Sequence, residues 1–248
     1  MALLQNLMGK KKDSAAPNVL MAAALKRAKS PDQCKCIDFF MGTEEGANAK
    51  KGCLSKGPST WTIDDYIAHV DNEVNKLNLK QRAIEKIGLD ESQISEIPPV
   101  VISSFARSGE GIYFKATADW SRYVTNKFYV TWIFFSATQL YTYTYVLDTM
   151  TDNAVETTRD FFYSDITCIR TEHEVEEVVY EIKEKGCLAY LKSLFNKSEE
   201  KFARYHKHWD TLQITVPSDS YSFYCRTTPT LEQSIQAAKA MIREKKES

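Results

Sequence analysis

Apolar positions recur at helical spacing through the first hundred residues and every second residue after Val100, so the chain changes from helix to strand near its first third. Thr62-x-x-Asp65 has the form of a capping box with Asp in place of Glu. Ile63, Tyr66, Ile67, Val70, Val74 and Leu77 then follow on one stripe, predicting a helix with one buried face. A second helix is expected from Lys80 to Ile87, stopped by Gly88, and Pro98-Pro99 halts the turn that Asp90 begins. Further upstream, Pro17 to Lys29 (PNVLMAAALKRAK) has proline in its first turn and cations in its last; after Ser30-Pro31 the pattern weakens.

Alternation predicts strands over 100–106, 111–119, 126–136, 139–148, 155–164, 166–171, 174–182, 211–217 and 220–226. In the third of these both faces are apolar, Phe128, Val130, Trp132 and Phe134 on one and Tyr129, Ile133 and Phe135 on the other, as for a strand covered on two sides. Tyr141, Tyr143 and Tyr145 share a face of the fourth, and Ser108-Gly109-Glu110-Gly111 reads as the hairpin turn between the first two. In the closing pair Leu212, Ile214 and Val216 face Tyr221, Phe223 and Cys225 across a turn at residues 217–220. A helix follows, with Leu231, Ile235, Ala238 and Ile242 on one stripe. Residues 187–208 are expected to be a helical insertion, with Leu188, Leu191, Phe195, Phe202, Tyr205 and then Trp209 on its apolar side.

The resulting organisation is a basic helical arm and linker (1–60), a helical hairpin (61–97) and a β domain (98–248) carrying the insertion at about 187–208. The linker is sharpest at residues 42–60, which hold four glycines and a proline. Composition adds one asymmetry. Residues 1–60 carry ten Lys/Arg against five Asp/Glu, so an arm of +5 precedes a body of −6 within a net charge of −1. Its charges are scattered apart from Lys10-Lys11-Lys12, and no aromatics interleave with them to stack bases; no nucleic-acid partner is expected. No apolar run approaches the ~20 residues that span a bilayer. The opening apolar residues precede the lysines, the reverse of a signal peptide, and six dispersed cysteines suit a reducing cytoplasm.

Candidate chemistry is sparse. Cys34, Cys36 and Cys53, with His69 as a possible fourth ligand, have spacings unlike those of structural zinc sites, and free thiols explain them better, although Cys34 and Cys36 would share a face on a strand and could pair on oxidation. His206 and His208 face opposite ways if helical, with His173 elsewhere, and with Arg204 and Lys207 they extend a cationic face. Six glutamates within residues 172–184 read as an edge strand kept soluble by charge rather than as converging acid–base carboxylates. Nucleophile and phosphate-binding motifs are absent, and Cys168 and Cys225 sit in strand patterns as small hydrophobes. No catalytic, cofactor or metal residue is assigned.

The segments FFSATQLYTYTYVL, FFYSDITCIRT and ITVPSDSYSFYCR, with the closing LEQSIQAAKAMIREKK, resemble the bacterial pleckstrin-homology-like family over roughly residues 125–246. In that family an aromatic-rich strand ends in a Ser/Asp-Ile step, here Phe161-Phe162-Tyr163-Ser164-Asp165-Ile166. The leading KIGLDESQISEIPPV is similar to uncharacterised cytoplasmic proteins of Gram-positive bacteria. The resemblance implies an α+β fold, an antiparallel barrel or sandwich closed by the C-terminal helix, and a binding scaffold. The insertion departs from the compact family pattern. In FARSGEGIYFK, Arg107 with Glu110 opposing it and Lys115 beyond does not make a phosphoinositide pocket. The expectation is a non-enzymatic module that binds a protein or peptide through an open sheet edge or the insertion's apolar stripe. Membrane-surface association of residues 1–29 is the alternative, and an enzyme of unknown class the third.

Overall fold

The computed structural model describes residues 23–41, 61–90, 98–107, 109–117, 122–182, 201–225 and 229–247, and within these only the backbone of 176–182, 201–209, 230 and 245–247. After a turn of helix at 23–27 come α1 (Pro31–Met41), α2 (Ile63–Lys76) and α3 (Leu79–Ile87). Nine strands follow: β1 (Val100–Phe105), β2 (Phe114–Ala116), β3 (Tyr123–Thr125), β4 (Lys127–Phe135), β5 (Gln139–Asp148), β6 (Val155–Phe162), β7 (Cys168–Ile182), β8 (Lys201–Val216) and β9 (Asp219–Cys225). Helix α4 (Pro229–Glu247) closes the chain. The sheets run β1-β4-β5-β6, β2-β3 and β7-β8-β9. The fold is α+β with mostly antiparallel sheets and a C-terminal helix, and among the described residues the strands form no closed barrel.

The chain packs as two units. The first comprises residues up to Ala83 with Phe105–Tyr129 and Thr144–Thr157. Here the capping box forms as expected: the Asp65 backbone N–H donates to Thr62 Oγ1 at 3.1 Å and the Thr62 N–H to Asp65 Oδ2 at 2.8 Å. The Thr62 N–H and hydroxyl, both donating to Asp65 Oδ2, hold the Asp65 carboxyl below its usual range. The helix so started delivers Tyr66 and Val70 to the interior, where the Tyr66 ring stacks on Phe39 at 5.0 Å. Its hydroxyl donates to the Thr125 carbonyl at 2.9 Å and lies 2.8 Å from Thr149 Oγ1; burial raises its pKa. Buried Asn126 completes this polar interior. Its Oδ1 accepts from the Tyr113 N–H at 2.7 Å, while its Nδ2 donates to Asp148 and to the Gly111 carbonyl. Helix α1 was not expected, yet its start is written in Ser30-Pro31-Asp32: Ser30 Oγ accepts from the Gln33 N–H at 3.1 Å and proline takes the first helical position.

The second unit comprises Ile84–Ser104, Val130–Tyr143 and Thr158–Ser248. Gly88 enters the left-handed region (φ 75°), and its N–H and that of Leu89 bond back to the Ile84 carbonyl, ending α3 where the sequence puts a glycine. The unit's core joins both larger sheets to α4. Leu231, Ile235, Ala238 and Ile242, the stripe read from spacing, lie in one buried cluster with Ile133, Phe135, Leu140, Leu212, Ile214 and Phe223. Tyr163 secures the turn after β6 by donating to the Ser136 carbonyl at 2.9 Å.

Three expectations are corrected. Residues 201–208 are not helical but the first half of β8, in continuous register with β7 from Ile182↔Lys201 to Cys168↔Thr215. The remainder of the expected insertion, from 187 to 200, lies outside the described residues. Two predicted strands, 166–171 and 174–182, are one, because nothing polar at Glu172 or His173 obliges an extended chain to break. The segment 108–111 does not join paired strands: β1 neighbours β4, and β2 pairs with β3, a strand too short for its alternation to register. The arm before residue 23 and the linker 42–60 lie outside the described residues.

Candidate functional site

Within the second unit, β7 has β8 on one side and no strand on the other among the described residues. Its backbone therefore presents an open row of donors and acceptors along fifteen residues. Strand β9 pairs with β8 only from Asp210 to Val216. Beyond it, from Glu174↔Trp209 to Ile182↔Lys201, β7 and β8 continue as a two-stranded ribbon. Sequence explains where the cover stops. Ile169 packs on the core and Leu212 and Ile214 are buried, but along the same face of β7 Thr171 is only half-buried, His173 Nδ1 lies 2.8 Å from Asp210 Oδ1 and Val175 is 54% exposed.

The edge is acidic. From Glu172 to Ile182 it holds Glu172, Glu174, Glu176, Glu177 and Glu181 and no Lys or Arg. The register sets Thr211, Trp209, Lys207, His206 and Phe202 opposite these five, so one of them faces a lysine across the ladder. Arg170, earlier in the strand, is engaged by Glu172 at 2.9 Å and by the Gln213 amide oxygen at 2.5 Å. Among the described residues the run is thus an edge strand, as the sequence suggested.

In the first unit a cleft of about 450 Å³ opens between the start of α1, α2 and the end of β5, lined among others by Asp32, Gln33, His69, Glu73, Lys76 and Asp152. Three of its carboxylates are engaged by neighbouring cations, Asp32 by Lys35 (2.9 Å), Glu73 by Lys76 (2.6 Å) and Asp152 by Lys29 (2.7 Å), while Asp148 accepts from Asn126 Nδ2 and the Met150 N–H. The Lys35 and Lys29 contacts hold Asp32 and Asp152 below the usual carboxylate range. Burial lowers the pKa of His69, whose ring lies against Trp61 at 5.0 Å.

The other residues singled out by sequence scatter. Cys34 and Cys36 sit two apart on α1 rather than on a strand, so they face about 200° apart, which removes the proposed pairing. Cys36 is fully buried and its thiol is pushed up to about 12 by desolvation, while Cys53 lies outside the described residues. Among the described residues no three His, Cys, Asp or Glu side chains are placed to hold a metal ion. His206 and His208 occupy alternate positions of β8, opposite Glu177 and Val175, so the helical argument that separated them falls away. Cys168 is exposed and Cys225 buried; Tyr143 and Tyr145 are core residues and Tyr141 half-buried. No described helix is long and apolar enough to cross a membrane. Comparison with family models, with curated proteins and with solved structures finds no match.

Proposed function

We propose that this protein is a non-enzymatic binding module that takes an extended segment of another protein onto the open edge of β7. The observation that carries the reading is the fifteen-residue edge strand, nine of whose residue pairs belong to a ribbon with no third strand among the described residues. Two-stranded ribbons are marginal in water, and a third strand supplies both the missing hydrogen bonds and cover. Strand addition on such an edge is a recurrent mode of peptide recognition, with main-chain bonds providing affinity and alternate side chains specificity. A pleckstrin-homology-like scaffold is part of the proposal, supported by the antiparallel sheets and by the C-terminal helix that fills the second unit's core.

The test is a peptide array of extended ten-residue segments probed with the full chain, repeated with hits whose backbone amides are N-methylated. Strand addition predicts hits that lose binding on methylation together with slowed amide exchange in 168–182. Hits indifferent to methylation, or turnover in a hydrolase and transferase substrate panel, would overturn it.

A further inference from the structure

We infer that the segment received by β7 alternates aliphatic and polar residues, its aliphatic side completing the core of the second unit beside Ile169 and Thr171; this rests on the strand-addition reading above and specifies its partner. The cover of that core is uneven across the sheet β7-β8-β9. On β8, Leu212 and Ile214 are buried. On β9, Phe223 is buried, and half-buried Tyr221 is closed over by the Phe161 ring at 5.1 Å and the Arg159 guanidinium at 4.9 Å. On β7 the same face sets Ile169 opposite Ile214 and Thr171 opposite Leu212, both only half-buried, and beyond them Val175 is exposed. Burial therefore falls from complete to partial within one strand spacing, toward an edge where no described strand pairs. Packing is also incomplete there. A void of about 10 Å³ touches Ile169 and is lined throughout by apolar residues, Val100, Ile235 and Ala238 among them. Its walls offer no polar partner to a water and lack dispersion contacts on that side.

A strand added to β7 places every second side chain on this face, about 7 Å apart. Aliphatic groups there take apolar surface of both partners out of water, whereas polar groups would be desolvated against Ile169 without a partner. The other face asks for the opposite chemistry. Arg170 is exposed there and engaged by Glu172 and Gln213, so the segment's second side stays in water. Alternate side chains are the usual source of specificity in strand addition. A second copy of this chain fits less well: two β7 edges paired antiparallel over their full length set Ile169 opposite the copy's Glu181, a carboxylate in place of an aliphatic group. A segment from another protein is free of that constraint.

Fluorescence anisotropy on the full chain with three labelled ten-residue peptides tests the inference: Val and Gln strictly alternating, the same residues with Val at helical spacing, and Ser and Gln alternating. The strictly alternating Val peptide should bind at least ~10-fold more tightly than either of the others, roughly what burying one aliphatic side chain contributes. Ile169→Thr, which keeps the β-branch, should lose most of that preference; Arg170→Gln, on the opposite face, should keep it. Slowed amide exchange at Ile169 and Thr171 on addition of the Val peptide is a readout that needs no variant. Equal affinities for the three peptides, or binding by none, sink the alternation and leave strand addition to the peptide array above. Binding that survives N-methylation of the peptide amides sinks strand addition itself. A wild-type dimer in sedimentation that the Val peptide dissociates would overturn the inference in favour of a second copy.

Discussion

Strand β8 passes through two environments within sixteen residues. From Asp210 to Val216 it lies between β7 and β9, with Leu212 and Ile214 buried against α4 and the facing sheet. From Lys201 to Trp209 it pairs, among the described residues, with β7 alone. The ladder is uninterrupted across the boundary, so regular pairing does not distinguish the halves; cover does. A ladder bond exchanges water for a protein partner and yields little net free energy, whereas burying an isoleucine or leucine yields several-fold more. The covered half therefore anchors the strand.

Mutations on the two sides should separate accordingly. Ile214→Ala, at a fully buried position, should lower stability by about 3 kcal/mol in urea unfolding. If it costs under ~1 kcal/mol, the anchoring role of the covered half is wrong. Thr211 sharpens the contrast from the other direction: its Oγ1 is buried and makes no hydrogen bond among the described residues, so Thr211→Val should raise stability by about 1 kcal/mol. A loss of that size instead would mean the hydroxyl has a partner. At the boundary, a double-mutant cycle on His173→Gln and Asp210→Asn should return a coupling of at most ~1 kcal/mol, as for other exposed pairs. The smallest effect belongs to the ribbon itself, where Val175→Ala should change stability by less than ~0.5 kcal/mol. Amide exchange offers a check without mutation: Leu212–Thr215 should exchange at least ~100-fold more slowly than residues 203–208.

Much of the covered half was legible in the sequence. Alternation at Leu212, Ile214 and Phe223 and helical spacing at Leu231, Ile235, Ala238 and Ile242 report burial on one face, which is what periodicity measures. The Thr62/Asp65 box and the Gly88 stop were legible because each satisfies a local backbone requirement. The ribbon was not. Phe202, Tyr205 and Trp209 lie at helical spacing although the backbone of Lys201–Trp209 is extended. Pairing partners were equally hidden, since the β1–β4 neighbourhood is a long-range choice that local turn residues such as Gly109 and Gly111 do not encode. At the candidate site the acidic edge was recognised from its glutamates, but its length and the strand opposite it emerged only from the register.

The cysteines give the molecule a pair of internal clocks. Cys36 is sealed in the first unit and Cys225 in the second, with desolvation raising their thiols to about 12 and about 11 respectively. A thiol so raised is almost wholly protonated at neutral pH, and the thiolate is the form that alkylates. Each therefore reacts only when its own unit opens, and the order in which the two are trapped under native conditions reads out which unit breathes first.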